Sequence, residues 1–418
     1  MSLKRRSFLR GAGALAASTF ASSALAQTVI DEILNAPRRG GWNDQFDAGA
    51  STGGASVAST LPIYSPETVF YVEQAIGHYQ GIVAQGGWPV VPATKKLKLG
   101  VIDPDVEMLR RRLMVSGDLS MAAGISPAFD SYVDAALKRF QARHGLPADG
   151  VTGHYTFAAM NVSAPIRLAQ LETNLVRLRS MSGSLGERYV MVNIPAASIE
   201  AVENGRVVLR HTAVVGKVDR QTPILSSRIN EIIINPYWNA PESIVRKDII
   251  PLMRKDPEYL TKNNIRILGP NGDEVDPLTI DWSTEEAAKL RFRQDPGKIN
   301  AMSAVKINFP NEHAVYMHDT PQQSLFTDLD RFHSSGCVRV QNVRDLVTWL
   351  LRGTEGWDRG RFEQTIKSGE STPVGLAQPV PVYFTYVSAW STGDAVVHFR
   401  DDIYGRDGVD ELQLSSTL

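Results

Sequence analysis

Cysteine is almost missing from this chain: 418 residues contain one, Cys337. A single thiol excludes an intramolecular disulfide and leaves two readings, an inert buried cysteine or a reactive one. An excess of charge of either sign is missing too, with 44 basic and 45 acidic residues. Such a chain has no broad electrostatic reason to bind nucleic acid. Beyond the N-terminal segment no run reaches the ~18 uninterrupted apolar residues that span a bilayer. The expectation is therefore a mature chain with no transmembrane segment and no nucleic-acid partner.

The N-terminus reads as a separate object. Lys4-Arg5-Arg6-Ser7-Phe8-Leu9-Arg10 precedes a run of small and apolar residues from Gly11 to Ala21, and Ala24-Leu25-Ala26 forms an A-x-A cleavage site. This is the layout of a bacterial secretory signal, and the adjacent arginines suggest the twin-arginine type over residues 1–26. The expected location is the periplasm. Removing Lys4, Arg5, Arg6 and Arg10 leaves 40 basic against 45 acidic residues, a net charge of −5.

Residues 27–62 are rich in Gly, Ala and Ser and read as a flexible tether. A helix is expected from Pro66 to Gln85, with Pro66 in its first turn and Gly86-Gly87 stopping it. Asp103 caps a run with Val106, Leu109 and Leu113 on one face, and a further helix runs from Ser131 to His144. The Arg110-Arg111-Arg112 triplet reads as the solvated face of its helix. An amphipathic helix over 165–181 closes a helical scaffold assigned to 63–183. From Tyr189 the apolar period changes to two, and short β-branched runs mark a mostly β domain over 184–408. A polar, helix-prone insertion interrupts it at about 239–298, and 409–418 is a tail. The fold class is α+β multidomain.

Chemistry concentrates in Tyr316-Met317-His318-Asp319-Thr320 and His333-Ser334-Ser335-Gly336-Cys337-Val338-Arg339-Val340. A thiol attacks acyl carbons as thiolate, so it needs a base or a depressed pKa, and histidine is the usual partner. Glycine before the nucleophile permits close backbone approach, and backbone N–H groups there can stabilise an oxyanion. A zinc site from His313, His318, His333 and Cys337 is the rival. His313 and His318 lie five apart on an apparent strand and face opposite ways, and His333-x3-Cys337 alone is half a site, so no metal is expected.

These segments resemble the L,D-transpeptidase family (YkuD-type catalytic domain), in its large YcbB-like subfamily. There a His ends a strand and a Ser-x-Gly-Cys-x-Arg run follows; the matching positions are His318, Ser335, Gly336, Cys337 and Arg339. Many relatives have His where Ser335 stands here. Other segments extend the resemblance: Val215-Gly216-Lys217 with Thr222-Pro223, Asn235-Pro236-Tyr237-Trp238, and His398-Phe399-Arg400. Asp134-Ala135-Ala136-Leu137-Lys138-Arg139-Phe140-Gln141 with Gly145-Leu146 and Asp149-Gly150 resembles a three-helix peptidoglycan-binding module over about 103–160.

The resemblance implies a peptidoglycan L,D-transpeptidase that forms 3→3 cross-links and reacts covalently with carbapenems. Cys337 is the implied nucleophile and His318 the acid/base. The Asp319 carbonyl would orient the imidazole, and Gly336 with Ser335 would lie at the oxyanion. Tyr316, Trp238, Tyr237 and Arg339 are expected to line the substrate groove, with the insertion as a cap. The implied partners are peptidoglycan stem peptides and, as candidates, other wall-synthesis enzymes; no organic cofactor is implied. Stem trimming or exchange, and a wall-binding protein with weak catalysis, are the alternatives.

Overall fold

The computed structural model describes residues 59–181, 185–393 and 396–408. The signal, the tether up to residue 58 and the tail lie outside the described residues. The chain divides into two compact units. One comprises residues up to Ser184 together with Val387 onward, and the other is Leu185–Tyr386.

The helical unit holds α1 (Pro66–Ala84), α2 (Pro104–Val115), α3 (Ser131–Arg143), α4 (His154–Asn161) and α5 (Ala164–Met181). Each start follows from local chemistry. Ser65 Oγ accepts from Thr68 N–H at 3.0 Å, Asp103 from Asp105 N–H at 2.9 Å, and Asp130 from Tyr132 and Val133 N–H. Proline occupies the first turn of α1 and α2, where no N–H is needed. Val106, Leu109, Leu113, Val133, Leu137 and Phe140 form the core of the 103–160 module, all of them fully buried. Gln141 explains why its motif has that form. From the buried side of α3, its Nε2 donates to Asp149 Oδ1, Val151 O and Thr156 Oγ1, while its Oε1 accepts from Gly150 N–H. One amide thus satisfies the buried loop that joins α3 to α4.

Two expectations fail in this unit. Arg110 and Arg112 do not lie on a solvated helix face: they are 0% and 2% exposed. Arg110 donates to Asp130 and to the carbonyls of Ala123, Gly124 and Ala128, and Arg112 stacks 3.9 Å over Trp88. A charge run in sequence does not reveal that carbonyls wait on the inner side. In addition, the stretch after Tyr386 leaves the β domain. Its hairpin, β14 (Ala389–Ser391) with β15 (Val397–Phe399), packs on α1 and α5. Asn174 and Gln170 on α5 bind Ser388 and Arg400, which fixes the return.

The second unit is built on a nine-stranded sheet. Its strands are β1 (Arg188–Asn193), β2 (Ser198–Glu203), β3 (Arg206–Gly216), β4 (Leu225–Ile234), β9 (Val305–Asn308), β10 (Met317–His318), β11 (Phe332–Ser334), β12 (Val338–Val340) and β13 (Thr372–Thr385). The order is β11-β3-β12-β10-β9-β4-β13-β1-β2, and a further β2–β3 pairing closes the ring. Strand β3 has enough length to serve β2, β12 and β11 in turn. Helices α6 (Val343–Leu350) and α7 (Arg359–Ser368) follow β12.

The insertion carries more strand than the sequence suggests. Strands β5 (Trp238–Ala240), β6 (Ile265–Leu268), β7 (Glu274–Val275) and β8 (Arg291–Gln294) form a four-stranded sheet in the order β5-β8-β6-β7. Helical segments Glu242–Ile244 and Ile250–Lys255 flank a π-helical turn, Val245–Ile249. The expectation of a helical insertion is therefore corrected to a mixed one. Its polar strands are short, and their apolar residues close a small core of their own around Val245, Ile249, Leu260, Ile267 and Phe292.

Candidate active site

Three short strands decide the site. Strand β10 pairs in parallel with β12, Met317 opposite Val338 and His318 opposite Arg339. It pairs antiparallel with β9, His318 opposite Lys306. Met317, Val338, Val340, Val305 and Ile307 point into the core and are fully buried. By strand alternation Tyr316, His318, Cys337, Arg339 and Lys306 share the other face. Val338 N–H donates to Tyr316 O at 3.0 Å, which sets Cys337 abreast of Tyr316. The Tyr316 and His318 rings meet edge-on at 5.5 Å.

His318 Nδ1 lies 2.5 Å from the carbonyl oxygen of Asp319. A carbonyl only accepts, so Nδ1 carries the proton and Nε2 presents its lone pair. Burial, Arg339 and Lys306 hold the imidazole pKa down at about 3, against the raising effect of the Asp319 carbonyl. The Asp319 carboxylate faces elsewhere, accepting from Thr320 N–H at 2.8 Å and Ala304 N–H at 3.3 Å. Cys337 is partly exposed as a residue. Burial nevertheless pushes its thiol above the usual thiol range, while the backbone N–H and hydroxyl of Tyr316, Lys306 and Arg339 pull the other way. At neutral pH the thiol and the imidazole on this face thus both rest uncharged.

The loop that carries Cys337 is clamped by the turn after β3. Lys217 N–H donates to Ser334 O at 3.0 Å, and Thr222 Oγ1 donates to Gly336 O at 2.9 Å while accepting from Gly216 N–H at 2.8 Å. A Cβ on Gly216 would stand 2.2 Å from Arg220 O, so only glycine fits that crossing. Gly336 has φ +110°, a conformation that side chains avoid. Its N–H donates to Ser334 Oγ at 3.2 Å, and Ser334 Oγ donates to Cys337 O at 2.5 Å. The expectation that Gly336 N–H serves an oxyanion therefore meets an occupied donor.

The insertion is tied to this face through Asp248. Burial pushes the Tyr316 hydroxyl pKa up, and Trp238, at the start of β5, lowers it by less. Arg220 donates Nη1 and Nη2 to Asp248 of the π-helical turn at 2.6 and 3.0 Å, and Nη1 also donates to Ser335 Oγ at 2.9 Å. Tyr237 is exposed, with Arg293 stacked 4.7 Å over its ring. His333 sits on β11, separated from β12 by β3, and its Nε2 is 4.0 Å from Asp328. Among the described residues no cluster of metal-ligating side chains occurs, and no helix is long and apolar enough to cross a membrane.

Sequence reasoning missed Arg220, Asp248 and Lys306. Only Lys306 left a signal, a cation alternating with apolar residues in Val305-Lys306-Ile307.

Two regions of the chain match known families. Residues 103–160 match the family described as "Putative peptidoglycan binding domain". A curated protein of Haemophilus influenzae named "Putative L,D-transpeptidase" is 36% identical over 219 residues, 52% of this chain and 44% of that protein. The chain thus matches less than half the length of that relative. Solved L,D-transpeptidase structures from Xylanimonas cellulosilytica and Stackebrandtia nassauensis overlap 70% and 71% of this chain and 99% and 96% of theirs. Identities there are 18% and 13%, with TM-scores of 0.23 and 0.26, so the assignment rests on the sequence matches. Residues 187–380 match the L,D-transpeptidase catalytic domain, and the chain thus carries a catalytic domain of that family together with a peptidoglycan-binding domain.

Proposed function

We propose that the protein is an exported peptidoglycan L,D-transpeptidase that forms 3→3 cross-links through a thioacyl-enzyme on Cys337. The observation that carries this reading is the parallel β10–β12 register, which sets a His318 with a free Nε2 on the same face as the thiol. The donor is a tetrapeptide stem. Cys337 Sγ attacks the carbonyl of its third residue as His318 Nε2 takes the thiol proton. The C–N bond to the terminal D-Ala breaks, and the same proton goes to the departing amine. The side-chain amine of a second stem then attacks the thioester. Its proton passes to His318, and the sulfur leaves.

Because the pair rests neutral, proton transfer accompanies attack instead of preceding it. The Cys337 N–H and the Ser335 group are the donors left for the oxyanion, since Gly336 N–H is engaged by Ser334. Trp238, Tyr237 and Arg339 line the stem. The insertion acts as a cap, and the contact Arg220–Asp248 favours that role. Excluding water from the thioester would favour the amine over hydrolysis. The signal and the peptidoglycan-acting domains together support an extracytoplasmic, periplasmic site of action.

The test is incubation of purified disaccharide-tetrapeptide with the enzyme, read by mass spectrometry. A dimer linked between third residues, with release of D-Ala, is expected, and none with Cys337→Ala. Release of D-Ala without dimer would assign stem trimming instead.

A further inference from the structure

Lys306 has a place on the reactive face that the mechanism above does not use. It stands at one end of a row that strand register builds across β9, β10 and β12: Lys306, His318, Arg339. Cross-strand neighbours on one face stand about 5 Å apart at Cβ. The Lys306 ammonium lies 4.5 Å over the ring of Tyr316. Among the described residues no carboxylate comes within ion-pair distance of it. Glu231 acts on it only from further off, and Glu231 Oε2 accepts from Asn308. The Asp319 carboxylate is held by Thr320 and Ala304 N–H.

Arg339, at the other end of the row, is also without a carboxylate. Its Nη1 donates to the neutral amide of Gln322 at 2.8 Å, and its Nε is buried with no partner. Two partly buried cations without a counter-ion are costly, and an anionic ligand would offset that cost. The Cys337 sulfur cannot be that anion throughout a cycle, because acylation makes it a neutral thioester. A ligand must then bring the negative charge. The stem peptide that the proposed function assigns as donor carries carboxylates near its third residue: the terminal one of D-Ala and, when the diamino acid is a diacid, one on its side chain.

We propose that Lys306, with Arg339 on the other side of His318, is a substrate-binding residue that recognises a carboxylate of the donor stem and so sets specificity for the charged peptide. The inference rests on the transpeptidase reading and deepens it. Lys306 binds and does not move the reaction's protons.

The test uses the full chain with Cys337→Ala, so that binding is read without turnover. Calorimetry compares three synthetic tetrapeptides: all carboxylates free, terminal D-Ala amidated, or third-residue side chain amidated. One amidation should weaken binding roughly 10- to 100-fold, as losing a hydrogen bond between charged groups does. Which one does so identifies the carboxylate. Lys306→Met in the same background should bind the free peptide as weakly as that amide and lose the discrimination, while Lys306→Arg keeps it. In the otherwise wild-type enzyme, Lys306→Met should raise KM more than it lowers kcat.

Discrimination that survives in Lys306→Met, or indifference of the parent to both amidations, overturns the assignment. A Lys306→Met variant that binds normally but reacts more slowly with iodoacetamide also overturns it, assigning the cation to the thiol alone. If the parent binds no stem peptide and the enzyme releases no D-Ala, the transpeptidase reading falls with it. Turnover by the enzyme together with unchanged binding in Lys306→Met removes only the inference about Lys306.

Discussion

Several buried cations of the helical unit are tied off by their own chain, whereas the two on the face of Cys337 lack a carboxylate among the described residues. In the helical unit Arg143 forms a two-bonded pair with Asp118, at 2.8 and 2.6 Å, with both side chains under 5% exposed. Arg110 holds Asp130 and three carbonyls, and Arg167 donates to Ala159 O and Gln170 while lying 4.6 Å under Phe399. Around Cys337, Lys306 and Arg339 have no carboxylate at all within reach among the described residues. The lesson is that a buried charge tied off by its own chain is scaffold, whereas one left open is an invitation to a ligand. Removing a scaffold charge should cost stability, and removing an open one should cost function.

The largest effect that could break this contrast lies at the thiol. Cys337→Ala should abolish the single covalent adduct that intact-mass spectrometry is expected to show with a carbapenem. An adduct that persists would move the nucleophile elsewhere. Next, His318→Ala should slow D-Ala release by about 10²–10⁴-fold, the usual range for a general base. His333→Ala, on the far side of β3, should change it by no more than about threefold. A greater loss at His333 would reverse the assignment of the base.

The scaffold side is tested by Arg143→Met. It strands Asp118 in the interior and should destabilise the protein by about 3–5 kcal/mol, seen as a lower Tm, with kcat per folded molecule unchanged. Lys306→Met should do the reverse, leaving Tm within a few degrees of the parent. Equal Tm losses in both variants would erase the distinction. A smaller effect is expected at Asp248→Asn, which weakens the hold of Arg220 on the insertion. The ratio of hydrolysed to cross-linked product should rise about threefold, in line with losing one partly exposed charged contact. An unchanged ratio would leave the insertion without a role in excluding water.

The finest test reads the resting charge state. The Cys337 thiol titrates above the usual thiol range and His318 at about 3. Alkylation by iodoacetamide should therefore be slow at pH 7 and climb toward pH 9 and beyond, as deprotonation proceeds. A thiolate–imidazolium pair would give a plateau through neutral pH instead.

Much of this was legible beforehand, for physical reasons. Helix starts at Ser65, Asp103 and Asp130 are local chemistry, and the structure gives α1 and α3 within a residue of expectation. Cys337 and His318 stood out by their local pattern, a strand-ending imidazole followed by Ser335-Gly336-Cys337-Val338-Arg339, and not because the thiol is alone. The strand β2 over Ser198–Glu203 was missed, although its buried pattern depends on the hairpin with β3. The insertion's sheet was missed because two- to four-residue strands have no period to detect. The burial of Arg110 and Arg112 was misread, since their partners lie 13 to 48 positions away in the chain. Arg220 and Asp248 are 28 positions apart and meet only through tertiary folding. Nothing in a linear pattern announces such a contact.

The return of the chain after Tyr386 has a consequence for biosynthesis. Strands β14 and β15 complete the unit that begins with α1, so more than two hundred intervening residues, Leu185–Tyr386, must be made before that unit can close. A nascent chain normally folds from its N-terminus, domain by domain. Here the helices emerge before the hairpin and wait, with the α1 and α5 surfaces that receive it still uncovered, until the hairpin has been made. The catalytic unit is continuous and can fold ahead of them. A stop codon just after residue 386 would therefore spare the nine-stranded sheet and leave the helices made before it as the unfinished part.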